Sequence, residues 1–323
     1  MTQTDMHAKT TGINWNDLVD PYDKIVLLEV EKNDWKPEEI PLGRDKKCWK
    51  EQLTTNEREV TKKLFKSLNL LDTTQTEVGV DALMSYTQTQ HEKHVLRQFG
   101  YMESVHSRSY SSIFETLISS QEELELKEWE KNYPRLQYKT ALLEEAYATK
   151  ERYKVHIASV FLESFIFYSG FYWPLYLLNR NLMTSTGSLI KLIIRDEAIH
   201  GKYIGYKFQK AYKKESEEKQ REILEYAHLL MLDLYKNEIK FTEELYETVN
   251  LVEEVKIFLR FNANKAFFNL GFEPLFSPEE CDVNVAILRS MRSDSKTTHD
   301  FFSSKGTSYF KSSVEDTSDD DWD

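Results

Sequence analysis

Cysteine is nearly absent: Cys48 and Cys281 are the only two in 323 residues. They form neither a metal-binding spacing nor a disulfide framework, so buried, inert thiols in a reducing cytoplasm are expected. Breakers are scarce as well, with 10 glycines and 7 prolines. Long stretches of Leu, Glu, Lys and Ala between so few breakers predict one mostly helical domain in place of two linked modules. Also missing is any cluster of Lys and Arg interleaved with aromatics. With 42 basic against 54 acidic residues and a net charge of −12, nucleic acid and anionic membrane surfaces are poor partners. The N-terminus has neither a basic region nor an apolar run of the kind that makes a secretory signal. A cytoplasmic protein is expected.

One apolar run, Ser159 to Leu178 (SVFLESFIFYSGFYWPLYLL), has the length of a membrane span. It carries Glu163 and Pro174, and a carboxylate there costs roughly 2.5–3.5 kcal/mol in lipid. No basic loops or further spans accompany it. A helix apolar on every side belongs in the middle of a large bundle, so no membrane association is expected.

Residues 1–50 contain Pro21, Pro37 and Pro41 together with Trp15, Trp35 and Trp49, and read as an irregular wrapping segment. The spacing of apolar residues then predicts helices from Thr55 to about Asp72, over about 88–119, as one long helix over about 137–180, and over about 188–213, 215–249 and 251–270. Residues near 121–135 are charged and end at Pro134, which reads as an exposed connection. The strand signal is weak throughout, and the expected class is all-α over a domain spanning 51–293. From 294 to 323 Ser, Thr, Asp and Lys dominate, too polar to fold alone. Phe301, Phe302, Tyr309, Phe310 and Trp322 sit in this acidic stretch, which makes it a candidate flexible docking tail rather than a plain solubiliser.

What the chain does have is one pattern twice: Glu103-x-x-His106 and Glu197-x-x-His200. Three helical steps of about 100° bring the two side chains back to within roughly 60° of one another, so each pair can share an ion. Each also has an acid upstream at a similar interval, Asp72 lying 31 residues before Glu103 and Glu163 lying 34 before Glu197. Both copies sit among apolar residues such as Met102, Val105, Ile193 and Ile194. Carboxylates buried there need a cation or a strong hydrogen-bond network. One Glu from each of two helices plus Glu-x-x-His from two others is the ligand set of ferritin-like dimetal bundles, here with Asp72 in place of one Glu. Four carboxylates and two imidazoles are a hard donor set suited to iron or manganese. Tyr110 follows His106 by one turn on the same face. On this evidence an iron oxidase or storage protein, a dimetal oxygenase or desaturase, and an inert helical scaffold are alternatives, against which Tyr110 and the aromatic tail weigh.

Asp72, ESVHSRSY (Glu103 to Tyr110), LESFIFYSGF (Leu162 to Phe171) and RDEAIH (Arg195 to His200) resemble the radical-generating small (beta) subunit of class I ribonucleotide reductase, of the class Ib type. The likeness runs from about Ile13 to the C-terminus. It implies a ferritin-like helical bundle with additional helices, a dinuclear manganese or iron centre, and a stable tyrosyl radical on Tyr110. It further implies a homodimer that serves a separate large (alpha) subunit reducing ribonucleoside diphosphates, and a flavodoxin-like activating protein where manganese is loaded. By the same resemblance Trp35, Asp196 and Tyr309 would form the path that carries the radical to the large subunit.

Overall fold

Residues 12–291 are described by the computed structural model, and every helix or strand assigned among them is helical. In chain order the α-helices are α1 (Pro21–Lys32), α2 (Lys46–Glu51), α3 (Thr55–Thr74), α4 (Val80–Met84), α5 (Gln90–Leu117), α6 (Ser120–Asn132), α7 (Pro134–Ala148), α8 (Arg152–Phe161), α9 (Tyr168–Asn179), α10 (Thr184–Tyr212), α11 (Glu217–Tyr246), α12 (Val252–Leu270) and α13 (Val285–Met291). Single π-helical turns, Gln75–Gly79 and Leu162–Ile166, join α3 to α4 and approach α9 from α8.

Helix starts follow from local chemistry. Thr54 Oγ1 accepts from Glu57 N at 3.2 Å while Glu57 Oε2 accepts from Thr54 N at 2.8 Å, a reciprocal box that satisfies two orphan donors at the head of α3. Ser119 and Glu122 do the same for α6, so the charged stretch read as a connection is in fact a helix. Asp20 caps α1 and Pro21 occupies its first turn. The proline taken for a breaker is therefore a helix starter, since its missing N–H is an orphan there anyway. The single helix expected over about 137–180 is interrupted after Ala148, where Lys150 adopts φ 57°. No glycine marks that left-handed position.

Four segments make the central bundle: α3 against α5, and the α8–α9 run against α10, with α5 and α3 also touching α10 and α9 respectively. The other helices pack around this set, α12 against α8, α9 and α10, and α11 against α7 and α12. Lys139 of α7 and Glu238 of α11 form a buried ion pair at 2.6 Å, with the ammonium 3.6 Å over the Phe241 ring. The apolar run around Glu163 is long and apolar enough to cross a membrane, yet it lies entirely inside the protein, as expected of a core helix. Gly201 lets α10 come close to it. A Cβ there would collide with Ser164 Oγ and lie 3.3 Å from Glu163 Cβ, so a larger residue would push Glu163 away from His200.

His156 on α8 gives the fold a pH dependence of its own. It is buried, its Nδ1–H donates to Arg152 O at 2.8 Å, and burial pushes it down to about 4. An unfolded histidine takes up a proton near pH 6.5, so between there and pH 4 the unfolded chain binds the extra proton. Acidification then destabilises the fold, by roughly 2–3 kcal/mol at pH 4.5. Denaturant unfolding of the metal-free protein at pH 7 and 4.5 should show His156→Gln losing less stability than the parent by about that amount. Equal losses would contradict this reading.

Candidate metal centre

The six acidic and imidazole residues singled out in the sequence meet in one place. Asp72 lies near the end of α3, Glu103 and His106 on α5, Glu163 in the π turn before α9, and Glu197 and His200 on α10. All six are buried. They fall into two overlapping groups, Asp72, Glu103, His106 and Glu197 in one and Glu103, Glu163, Glu197 and His200 in the other. The sharing is visible atom by atom. His106 Nδ1 is 2.9 Å from Glu197 Oε1, 3.3 Å from Asp72 Oδ1 and 3.5 Å from Glu103 Oε2. His200 Nδ1 is 2.9 Å from Glu103 Oε1, 3.3 Å from Glu197 Oε2 and 3.5 Å from Glu163 Oε2. Glu103 and Glu197 each turn one oxygen toward either imidazole, so they can bridge two ions. The imidazole centres are 6.2 Å apart.

The electrostatics call for cations. Both oxygens of Asp72, Glu103 and Glu197, Glu163 Oε2 and both Nδ1 atoms have no hydrogen-bond partner. Burial, reinforced by the neighbouring carboxylates Glu103 and Glu197, holds the Asp72 and Glu163 carboxyls well above their usual range. Burial opposes charge on His106 and His200 too, but the surrounding carboxylates win and raise both imidazoles well above theirs. Without ions the cluster keeps protons it would not hold in water. Two divalent ions balance four carboxylates, displace those protons and occupy the orphaned lone pairs, so the residues present fit a dinuclear centre.

Around this cluster the structure places the remaining candidates differently. Trp35 is buried against α5 and α10, and its indole Nε1–H donates to Asp196 Oδ2 at 2.7 Å. His106 Nε2 lies 3.3 Å from the same oxygen. A carboxylate can only accept, so the Nε2 proton faces Asp196, and once ions displace the cluster's protons the lone pair left on Nδ1 faces the cluster, the tautomer a metal ligand needs. Arg195 steadies Asp196 Oδ1 from Nε and Nη2, both at 3.3 Å, while Nη2 also donates to Asn33 O at 2.6 Å. Tyr110 is fully buried, 6.0 Å from the Phe65 ring centre, and its Oη has no hydrogen-bond partner. Burial first, then the charges of Asp72, Glu197 and Glu103, push its phenol well above the ordinary value. Tyr309 lies outside the described residues.

Some neighbours of the cluster carry no sequence pattern. Gln75 Nε2 donates to Glu163 Oε1 at 2.5 Å, and Asn269 on α12 donates to Ser164 Oγ at 2.9 Å. Lys265 donates to Tyr168 Oη at 2.6 Å. Such partners come from helices distant in sequence and have no fixed spacing to read.

Two Glu-x-x-His helices crossing two carboxylate-bearing segments around a buried, cation-seeking cluster define a ferritin-like dimetal-carboxylate protein. Residues 12–284 match the family model described as ribonucleotide reductase, small chain. The chain belongs to that family. It is 44% identical over 315 residues to the ribonucleoside-diphosphate reductase 2 subunit beta of Escherichia coli, covering 98% of both chains. It is 45% identical to the Mycobacterium leprae ribonucleoside-diphosphate reductase subunit beta, over 98% of this chain and 97% of that one. Among solved structures, the dimanganese(II)-NrdF of Streptococcus sanguinis superposes with a TM-score of 0.85 at 44% identity, covering 88% of this chain and all of that one.

Proposed function

We propose that this small subunit of ribonucleoside-diphosphate reductase makes a tyrosyl radical on Tyr110 and sends it, through Trp35 and Tyr309, to a large subunit that reduces ribonucleotides to deoxyribonucleotides. The observation that carries the proposal is a buried phenol without a hydrogen-bond partner, in the field of a six-residue dimetal cluster, with a hydrogen-bonded line leading away through Asp196 to Trp35.

Asp72 and His106 would hold one ion, Glu163 and His200 the other, with Glu103 and Glu197 reaching both. When bound, a manganese or iron pair supplies one-electron oxidising power drawn from an oxygen species. The chain's own residues do the rest. Tyr110 gives up one electron and its phenolic proton, and since no side chain accepts from Oη the proton would go to the oxygen species that is reduced at the bound pair. Because no donor or acceptor contacts Tyr110 Oη and the ring is shut off from solvent, small reductants cannot approach and the radical persists. Onward transfer has to proceed by hopping, since a buried radical cannot diffuse. Oxidation of Trp35 acidifies its indole N–H, and Asp196 Oδ2 is in place to take that proton. His106 on the other side of the same oxygen ties Trp35 to the metal side of the path.

Residues 294–323 are proposed as the segment that docks to the large subunit, with Tyr309 as the last carrier on this chain, and 1–50 as the segment that wraps the bundle. A homodimer in the cytoplasm follows the family pattern, and a flavodoxin-like protein would activate a manganese-loaded centre. Tyr309→Phe should leave the Tyr110 radical at full intensity while removing turnover with the large subunit. Full turnover in that variant would refute the relay.

A further inference from the structure

Glu163 alone among the four carboxylates is anchored from behind by a neutral amide. Gln75 Nε2 donates to Glu163 Oε1 at 2.5 Å, and Tyr147 Oη donates to Gln75 Oε1 at 2.9 Å. Ser159 Oγ extends the line at 3.4 Å from Tyr147 Oη. The polarity of this chain is fixed by chemistry. Once ions displace the cluster's protons Glu163 is a carboxylate and only accepts, so the amide turns its NH₂ toward it, which leaves its carbonyl for the tyrosine hydroxyl. All the participants are buried.

The backbone is shaped around this amide. Gln75 opens the π turn Gln75–Gly79, and the turn folds its side chain back over Gly79. A Cβ at Gly79 would overlap Gln75 Oε1, lie 2.8 Å from its Cδ and come within 3.1 Å of Tyr147 Cζ. An α-helix with any larger residue at that position would leave no slot for the amide. π turns inside helices recur at functional sites for this kind of reason.

The two metal positions are supported differently as a result. His106 is held through Nε2 by Asp196, whereas His200 Nε2 has no partner and its ring packs 4.2 Å from the Phe99 centroid. On the Glu163–His200 side, orientation therefore rests on the carboxylate. We propose that Gln75, oriented by Tyr147 and admitted by Gly79, is a positioning residue that pins Glu163 by Oε1, aims Oε2 into the cluster and so sets the affinity of the Glu163–His200 metal position. The inference rests on the dimetal reading of the cluster.

The test is a titration of the metal-free, full-length protein with manganese(II), following the six-line paramagnetic resonance of free ion. The parent, Gln75→Met, Tyr147→Phe and Gly79→Ala are compared, with thermal unfolding of each metal-free protein alongside. Gln75→Met and Gly79→Ala should weaken one of the two binding steps tenfold or more, within the roughly 10–100-fold expected when the partner of a ligand is removed, and leave the other step within about twofold. Tyr147→Phe should weaken the same step less. Adding it to Gln75→Met should bring no further loss, because both act on one hydrogen-bonded line. Two binding steps within twofold of the parent in both Gln75→Met and Gly79→Ala would overturn the proposal, as would equal weakening of both steps in proportion to lost thermal stability. A parent that binds fewer than two ions would instead count against the dimetal reading itself.

Discussion

Tyr110→Phe should abolish the organic radical signal and lower turnover with the large subunit by roughly a thousandfold or more, equal to about 4 kcal/mol of barrier, while two metal ions stay bound. The substitution is unusually clean. Tyr110 Oη makes no hydrogen bond and is fully enclosed, so its removal breaks no contact and relieves a buried polar atom; such changes are neutral or stabilising. The ring, packed near Phe65, keeps its volume. What disappears is a phenol in the field of Asp72, Glu103 and Glu197, and a phenylalanine ring is far harder to oxidise. Electron paramagnetic resonance, metal analysis and thermal unfolding on the same sample separate these effects. An undiminished radical would move the site elsewhere.

A second large effect is expected at the carboxylates that serve both sides. Glu197 faces His106 Nδ1 at 2.9 Å with one oxygen and His200 Nδ1 at 3.3 Å with the other. Burial opposes its ionisation, but the neighbouring Glu163 carboxyl and the His106 and His200 imidazoles hold it well below the usual carboxylate range. Glu197→Gln should therefore weaken both ions together, by roughly a hundredfold or more, since loss of a direct ligand exceeds the 10–100-fold typical of its supporting partners. Asp72→Asn, on one side only, should reduce the metal content of the isolated protein from two ions to one. Metal analysis after gel filtration distinguishes the cases. A Glu197→Gln protein that keeps one ion tightly would show that Glu197 serves a single position.

Much of this site could be read before any coordinates. Glu-x-x-His is a helix-face pattern, and two copies with spaced upstream acids reduce the arrangement to a few bundles, so Asp72, Glu103, His106, Glu163, Glu197 and His200 were all nameable from spacing and burial costs. That Glu103 and Glu197 each reach both imidazoles was not, because it depends on which oxygen faces which ring. Helices were legible where apolar periodicity was long. They were misread where a cap carried the signal, as at Asp20–Pro21 and Ser119–Glu122, and where a left-handed lysine ended a helix without glycine. Gln75 escaped notice entirely. Its partner Glu163 is 88 residues away, and a π turn moves a side chain off the face that a 3.6-residue repeat would give it.

The central claim is that this chain holds two redox-active ions beside a tyrosine it oxidises. The most direct measurement is metal analysis combined with electron paramagnetic resonance on the unaltered protein, loaded with manganese or iron and exposed to its oxidant. The account predicts two ions per chain and an organic signal whose hyperfine pattern collapses on deuteration of tyrosine. Two bound ions with no tyrosine-derived radical, or a radical in a chain that binds no metal, would contradict it.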